Sequence, residues 1–111
     1  LIRVMPGEKL AYATDVADTP ANRDKLIGLA RNAHTLLCEA AFLSEHQHLA
    51  AASGHLTARS CGAIASAAGV RRLVPFHLSK RYDHRVAEVL AEVRGAFPAN
   101  RRGHVDFNLD G

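Results

Sequence analysis

Five short apolar runs, separated by segments with helical spacing, constrain this chain more than any other feature. The runs cover residues 1–5, 9–13, 35–38, 71–76 and 104–107. Pro6-Gly7-Glu8 lies between the first two and reads as the turn of a β-hairpin. After the second run, Thr19-Pro20 has the chemistry of a helix start: Thr caps and Pro suits the first helical position. Leu26, Ile27, Leu29, Ala30 and Ala33 then give an apolar helical face that extends to about Asn32. A short helix is expected around residues 45–51, broken by Ser53-Gly54. Thr57 can cap the next helix, which runs to about Ala68 and ends at Gly69. Its many small residues, among them Cys61, Gly62 and Ala65, allow close approach to a sheet. Val86, Val89, Leu90, Val93 and Phe97 predict an amphipathic helix over 84–96, stopped by Pro98. The order ββαβ(α)αβαβ is that of the α/β class: a mixed sheet with helices covering one face. The other sheet face lacks a partner in this sequence and is expected to pack against a further part of the protein.

The 111 residues suffice for one small domain, and 48% hydrophobic with 23% charged residues suits a globular fold rather than disorder. No apolar run approaches the ~20 residues that span a bilayer, so no membrane partner is expected. No charged-then-apolar leader is expected within the visible residues, and a segment upstream of Leu1 is left open to carry one. The sequence opens on Leu1 without an initiator Met, and truncation is the simpler reading. Cys38 and Cys61 lack Cys-x-x-Cys spacing and read as buried free thiols of a reducing compartment, which points to the cytoplasm. The net charge of +3 is mild. Its distribution is more informative, because Arg71, Arg72, Lys80, Arg81, His84 and Arg85 flank His77. Such a cluster is ordinarily a solvated face; here it can also form a phosphate-attracting rim.

The chemistry-bearing residues fall at the ends of strands. Asp15 closes the second run, Glu39 follows the third, and His77 follows the fourth as His77-Leu78-Ser79-Lys80-Arg81-Tyr82. His55-Leu56-Thr57 stands at the mouth of a helix. These positions bring an acid and two histidines to one edge of a sheet, where they can hold a metal and a phosphate. Each also has a structural reading: Asp15 as a turn residue, His77 as a hydrogen-bonded strand-end histidine, His55 as a helix-entry residue, Glu39 as the partner of an arginine. Ser79, His77 and Asp83 can be assembled into a triad on paper, but no strained nucleophile turn supports one. His46 and His48 would point ~200° apart on a helix, with no third ligand near, and read as solvated. His34, His84 and His104 belong to no constellation.

The ordered set of segments resembles the metallo-β-lactamase fold, and within it the ribonuclease Z-like branch. It consists of Ala11-Tyr12-Ala13-Thr14-Asp15, Leu36-Leu37-Cys38-Glu39-Ala40-Ala41-Phe42, Gly54-His55-Leu56-Thr57-Ala58-Arg59, Leu73 through Tyr82, and Ala96-Phe97-Pro98 with Asp106-Phe107. It covers residues 9–107 and matches the C-terminal third of such a protein. The resemblance implies one part of an αβ/βα sandwich with two divalent metals, usually zinc, at one sheet edge. Asp15 would bridge the metals and His77 would ligate one of them. His55 would sit over the scissile phosphate, with Glu39 fixing its tautomer and favouring its proton-donating form. Thr57, Ser79, Arg81 and Tyr82 would line the substrate phosphate. Lys80 stands where a Pro or small residue is common, which leaves the ligand in place but puts loop geometry and substrate preference in doubt. The family's His-x-His-x-Asp-His cluster has no match here, so the isolated chain is expected to be inactive.

The expected function is therefore a metal-dependent hydrolase of the metallo-β-lactamase superfamily. Its expected chemistry is that of a phosphodiesterase of the ribonuclease Z type, which processes tRNA 3′ ends with a hydroxide shared by two metals. The expected partners are a phosphodiester substrate, RNA among the options, and a second copy of the chain as a homodimer. The alternative is a non-catalytic interaction module derived from the same fold, with neither metal nor ligand cluster. A basic nucleic-acid-binding domain ranks last, because few aromatic residues are available for stacking.

Overall fold

The computed structural model describes residues 2–5, 9–98 and 103–107. β1 (Ile2–Met5) pairs antiparallel with β2 (Leu10–Ala13), with Ile2 opposite Ala13. The expected Pro6-Gly7-Glu8 turn lies outside the described residues. β2, β3 (Thr35–Glu39), β4 (Arg72–Phe76) and β5 (His104–Val105) are mutually parallel, and the spatial order of the strands is the chain order. The parallel connections run through α1 (Pro20–Ala30), α3 (Ala58–Ala68) and α4 (Val86–Ala96), with the short α2 (Gln47–Ser53) ahead of α3. Crossovers of this kind share one hand, so strands added in one direction place their helices on one face.

Burial along the strands agrees. Ala11, Leu36 and Leu73 are neighbours in register on one face, as are Ala13 and Cys38, and all five are fully buried. On the opposite face Tyr12 is exposed and stacks on Phe76 with ring centroids 5.1 Å apart. Leu37 and Val74 on that face are only partly buried. The chain thus has the α/β architecture its pattern implies, with helices on one face of a mixed sheet.

The helix boundaries follow local chemistry. Thr19 Oγ accepts from the Asn22 N–H at 3.2 Å ahead of Pro20, and Thr57 Oγ accepts from the Ser60 N–H at 3.1 Å. Gly54 and Gly69 end α2 and α3 in the left-handed conformation, at φ 77° and 75°. Two expectations need correction. Leu29 is exposed, so α1 buries a narrower stripe that includes Leu26 and Ala30. The last helix begins at Val86 rather than His84, because a 3-10 turn at Lys80–Tyr82 uses the preceding residues.

α3 and α4 touch backbone to side chain at Gly62. A Cβ there would lie 2.4 Å from the Val93 carbonyl oxygen and 2.8 Å from the Ala96 Cβ. Gly62→Ala is therefore expected to destabilise the fold by about 1–3 kcal/mol through overpacking, read as a lower denaturant midpoint at unchanged slope. An unchanged midpoint would mean that the two helices separate at little cost. Cys38 and Cys61 are both buried and unbridged. The adjacent Cys61 and complete burial push the Cys38 thiol well above its ordinary pKa, which makes it a poor nucleophile.

Candidate functional site

The register of the parallel strands decides which residues meet at the sheet's carboxyl edge. Ala13, Cys38 and Pro75 lie in one row. One step beyond come Thr14, Glu39 and Phe76, and one step further Asp15, Ala40 and His77. Side chains alternate between faces along a strand, so Glu39 points away from the helix layer that covers Cys38.

Glu39 is completely buried and engaged on both oxygens. Its Oε1 accepts from Thr14 Oγ at 3.3 Å and faces His55 Nδ1 at 3.0 Å and His77 Nδ1 at 2.9 Å. Its Oε2 accepts from the Leu56 N–H at 2.8 Å. One carboxylate therefore joins the end of β2, the turn before α3 and the end of β4. The two imidazoles stand nearly perpendicular, with centroids 5.3 Å apart. A histidine held by a carboxylate at Nδ1 presents Nε2 on the opposite side of the ring, the arrangement in which imidazole serves as a metal ligand or as a proton carrier. Both rings line a cleft of about 330 Å³, along with Phe42, Leu78, Ser79 and Lys80.

Backbone conformation singles out two of the same positions. Asp15 and His77 are non-glycine residues with positive φ, at 57° and 59°, just past the ends of β2 and β4. Left-handed backbone costs a non-glycine residue on the order of 1 kcal/mol or more, and it persists where the surroundings impose it, often at functional sites. The third such residue, Asn32 at φ 61°, follows the end of α1, where Asn in this conformation is an ordinary helix stop.

Donor atoms of Glu39, His55 and His77 lie within 4.8 Å of one another, close enough for a single cation. The hydrogen bonds argue for a different division of labour. Glu39 uses both oxygens to hold four protein groups, so it serves as an orienting carboxylate. His77, whose side chain is half exposed, the exposed Asp15 carboxylate and His55, about a quarter exposed, keep donor atoms that could meet a cation. Imidazole nitrogen with carboxylate oxygen is a donor set that suits zinc and related divalent ions.

Asp18 was not singled out in the sequence and holds this edge together. Its buried carboxylate accepts from the Thr57 N–H at 2.8 Å and from Ser60 Oγ at 2.9 Å, and it pairs with Arg23. Burial pushes its pKa up, but the Thr57, Ser60 and Arg23 donors outweigh that and hold it below the usual carboxylate range. The segment that carries Asp15 is thereby fastened to the N-terminus of α3, two residues from His55. Asp18 stands next to the Thr19-Pro20 helix start but binds beyond it, to Thr57 and Ser60 at the N-terminus of α3 as well as to Arg23 of α1. Glu92 on α4 does similar work, accepting from the N–H groups of Ser44 and Arg59 at 2.7 and 3.2 Å.

The remaining sequence candidates are sorted by placement. Thr57 is buried and its hydroxyl caps α3, which removes it from the cleft wall. Tyr82 is 1% exposed; its hydroxyl accepts from the Leu43 N–H at 3.1 Å and lies 2.6 Å from His46 Nδ1, so it is a core residue here, not a rim residue. His46 is correspondingly half-buried rather than solvated. Ser79 lines the cleft and caps the 3-10 turn, and Arg81 is exposed with its guanidinium 5.5 Å from the centre of the Phe42 ring.

Residues 1–78 match the family model described as the beta-lactamase superfamily domain. Curated relatives include ribonuclease Z of Kineococcus radiotolerans, 37% identical over 95% of this chain and 33% of that protein. Ribonuclease Z of Thermobifida fusca is 42% identical over 79% of this chain and 28% of its own length. The chain thus spans about a third of the length of the curated relatives it matches. Among solved structures, the metallo-beta-lactamase fold protein YhfI from Bacillus subtilis superposes with a TM-score of 0.74 at 22% identity, over 97% of this chain and 44% of that one. The short form of human tRNase Z gives a TM-score of 0.57 at 28% identity, over 68% of this chain and 29% of the other.

Proposed function

The chain belongs to the beta-lactamase superfamily and has the metallo-beta-lactamase fold, and from that premise we propose that it forms part of a metal-dependent phosphodiesterase of the ribonuclease Z kind. The observation that carries the reading is Glu39, which holds His55 and His77 by Nδ1 and leaves both Nε2 atoms for chemistry. In this reading His77 and Asp15 are metal ligands. The rest of the ligand set would come from the portion of the relatives' length that this chain does not span. When bound, divalent ions, zinc by donor type, lower the pKa of a water toward ~7 and polarise the phosphate.

The chain's own residues supply the rest. His55 stands beside His77, with ring centroids 5.3 Å apart and its own side chain about a quarter exposed. Cleavage of a phosphodiester leaves charge on the departing oxygen, and a protonated His55 Nε2 can neutralise it by handing over its proton. Glu39 keeps the Nδ1 proton in place during that transfer, and the Leu56 N–H fixes Glu39 in turn. Asp18 and Thr57 hold the turn that carries His55. The support for RNA as substrate is the likeness to proteins named ribonuclease Z and tRNase Z.

The full-length protein, stripped with a chelator and reloaded with zinc or manganese, is the material for the test. It is expected to cleave precursor tRNA at the 3′ side and bis-p-nitrophenyl phosphate when loaded, and to lose both activities when stripped, with a chromogenic cephalosporin, a β-lactam amide, as the control substrate. A loaded protein that cleaves neither phosphodiester, or one that retains no metal, would favour a non-catalytic interaction module on the same fold.

A further inference from the structure

The basic cluster around His77 looks uniform in sequence and is not uniform in space. Arg72 stands at the opposite end of β4 from His77 and binds Asp106 through Nε at 2.8 Å and Nη2 at 2.6 Å. Arg71 lines a different cleft together with Lys9 and His34. Arg85 pairs with Glu45 at 3.0 Å and Glu88 at 2.7 Å. Arg81 lies over the Phe42 ring. Lys80 is the exposed cation that lines the same cleft as His55 and His77, and among the described residues it forms no ion pair or side-chain hydrogen bond.

We propose that Lys80 is a specificity residue that binds a phosphate flanking the scissile one, so that the site prefers substrates with at least two consecutive phosphodiesters. This rests on the phosphodiesterase reading of the same cleft. Three observations support it. An ammonium on a flexible stem with no acidic partner is free to meet an anion. Next to it, Ala41, Phe42 and Leu78 give the cleft an apolar wall, and a nucleotide offers apolar base faces and sugar edges beside its phosphates. The 3-10 turn that carries Lys80 is anchored at both ends. Ser79 N–H donates to the Ala41 carbonyl at 3.1 Å, and Tyr82 is locked in the core. The position of the Lys80 backbone relative to the histidines is therefore built in, and its flexible side chain is what reaches for the anion.

The test compares two substrates on the full-length, metal-loaded protein: bis-p-nitrophenyl phosphate, with one phosphate, and a single-stranded oligoribonucleotide, with many. Lys80→Ala is expected to raise KM for the oligonucleotide roughly tenfold more than for the small diester, as loss of one charge-assisted phosphate contact should. It should also lower the salt slope of oligonucleotide binding by about one unit. Lys80→Arg should restore most of the loss. Equal losses on both substrates would assign Lys80 to loop geometry, and no loss on either would remove it from substrate binding; both outcomes overturn the proposal. A wild-type protein that cleaves neither substrate would instead overturn the phosphodiesterase reading, and this proposal with it.

Discussion

Glu39→Ala is expected to lower the stability of the metal-free protein by about 3–5 kcal/mol, the scale seen when one member of a buried charged network is removed. The carboxylate is fully buried, and its loss strands the buried Leu56 N–H as well as the Nδ1 groups of His55 and His77. A bare donor in that position costs its full desolvation penalty. Function should fall for a separate reason. Removing the group that orients a ligating or proton-carrying histidine costs on the order of 10–100-fold, and here one residue orients two. Glu39→Gln keeps the volume and one acceptor oxygen, so it should recover much of the stability. Its activity should stay below that of the wild type, because one amide oxygen serves either the two Nδ1 groups or the Leu56 N–H, and the NH2 then faces the donor left over. Denaturant unfolding in chelator, followed by metal titration of the refolded variant, separates the two effects. If Glu39→Ala is as stable as the wild type and binds metal equally well, other groups hold the rings.

The second large effect is at Asp18. Asp18→Ala removes the acceptor for the Thr57 N–H and for Ser60, and leaves Arg23 without its buried partner. About 3 kcal/mol of destabilisation is expected from a buried, charge-assisted network of this kind. The pH dependence has a definite sign. The folded-state pKa of Asp18 is depressed below the usual carboxylate value. Its contribution is therefore fully present above the unfolded-state value of ~4 and is lost as pH falls through the lower folded-state value. The stability gap between wild type and Asp18→Asn should be constant from pH 5 to 7, about the range above that value, and should close below it. A gap that stays open in acid would mean that the stabilisation does not depend on the ionised form.

The layout of the site was legible because the parallel strands start and stop where their sequences say they should. Gly54, Thr57 and Gly69 announce the bounds of α2 and α3, and the order of runs and helices leaves few topologies. Asp15, Glu39 and His77 could then be placed at strand ends by counting. The Glu39–His55 contact was expected; the Glu39–His77 contact was not, because it depends on the register of β3 against β4, which no local pattern encodes. Asp18 and Glu92 were invisible for a related reason: each caps or ties an element distant in sequence. Tyr82 was expected at the substrate phosphate because the resemblance places the segment after His77 there. Only the packed structure shows its hydroxyl serving Leu43 and His46.

The division of roles between the two histidines is the point on which the functional reading turns. It is tested most directly by measuring metal content and phosphodiester cleavage together in the wild type, His77→Ala and His55→Ala, each as the full-length protein. The wild type is expected to retain metal and cleave. His77→Ala should lose bound metal and cleavage together. His55→Ala should keep its metal and lose ~10²–10⁴-fold in kcat, as removal of a general acid does. A His55→Ala protein that loses metal as His77→Ala does, or a His77→Ala protein that keeps both metal and activity, would contradict the assignment of ligand to one ring and proton donor to the other.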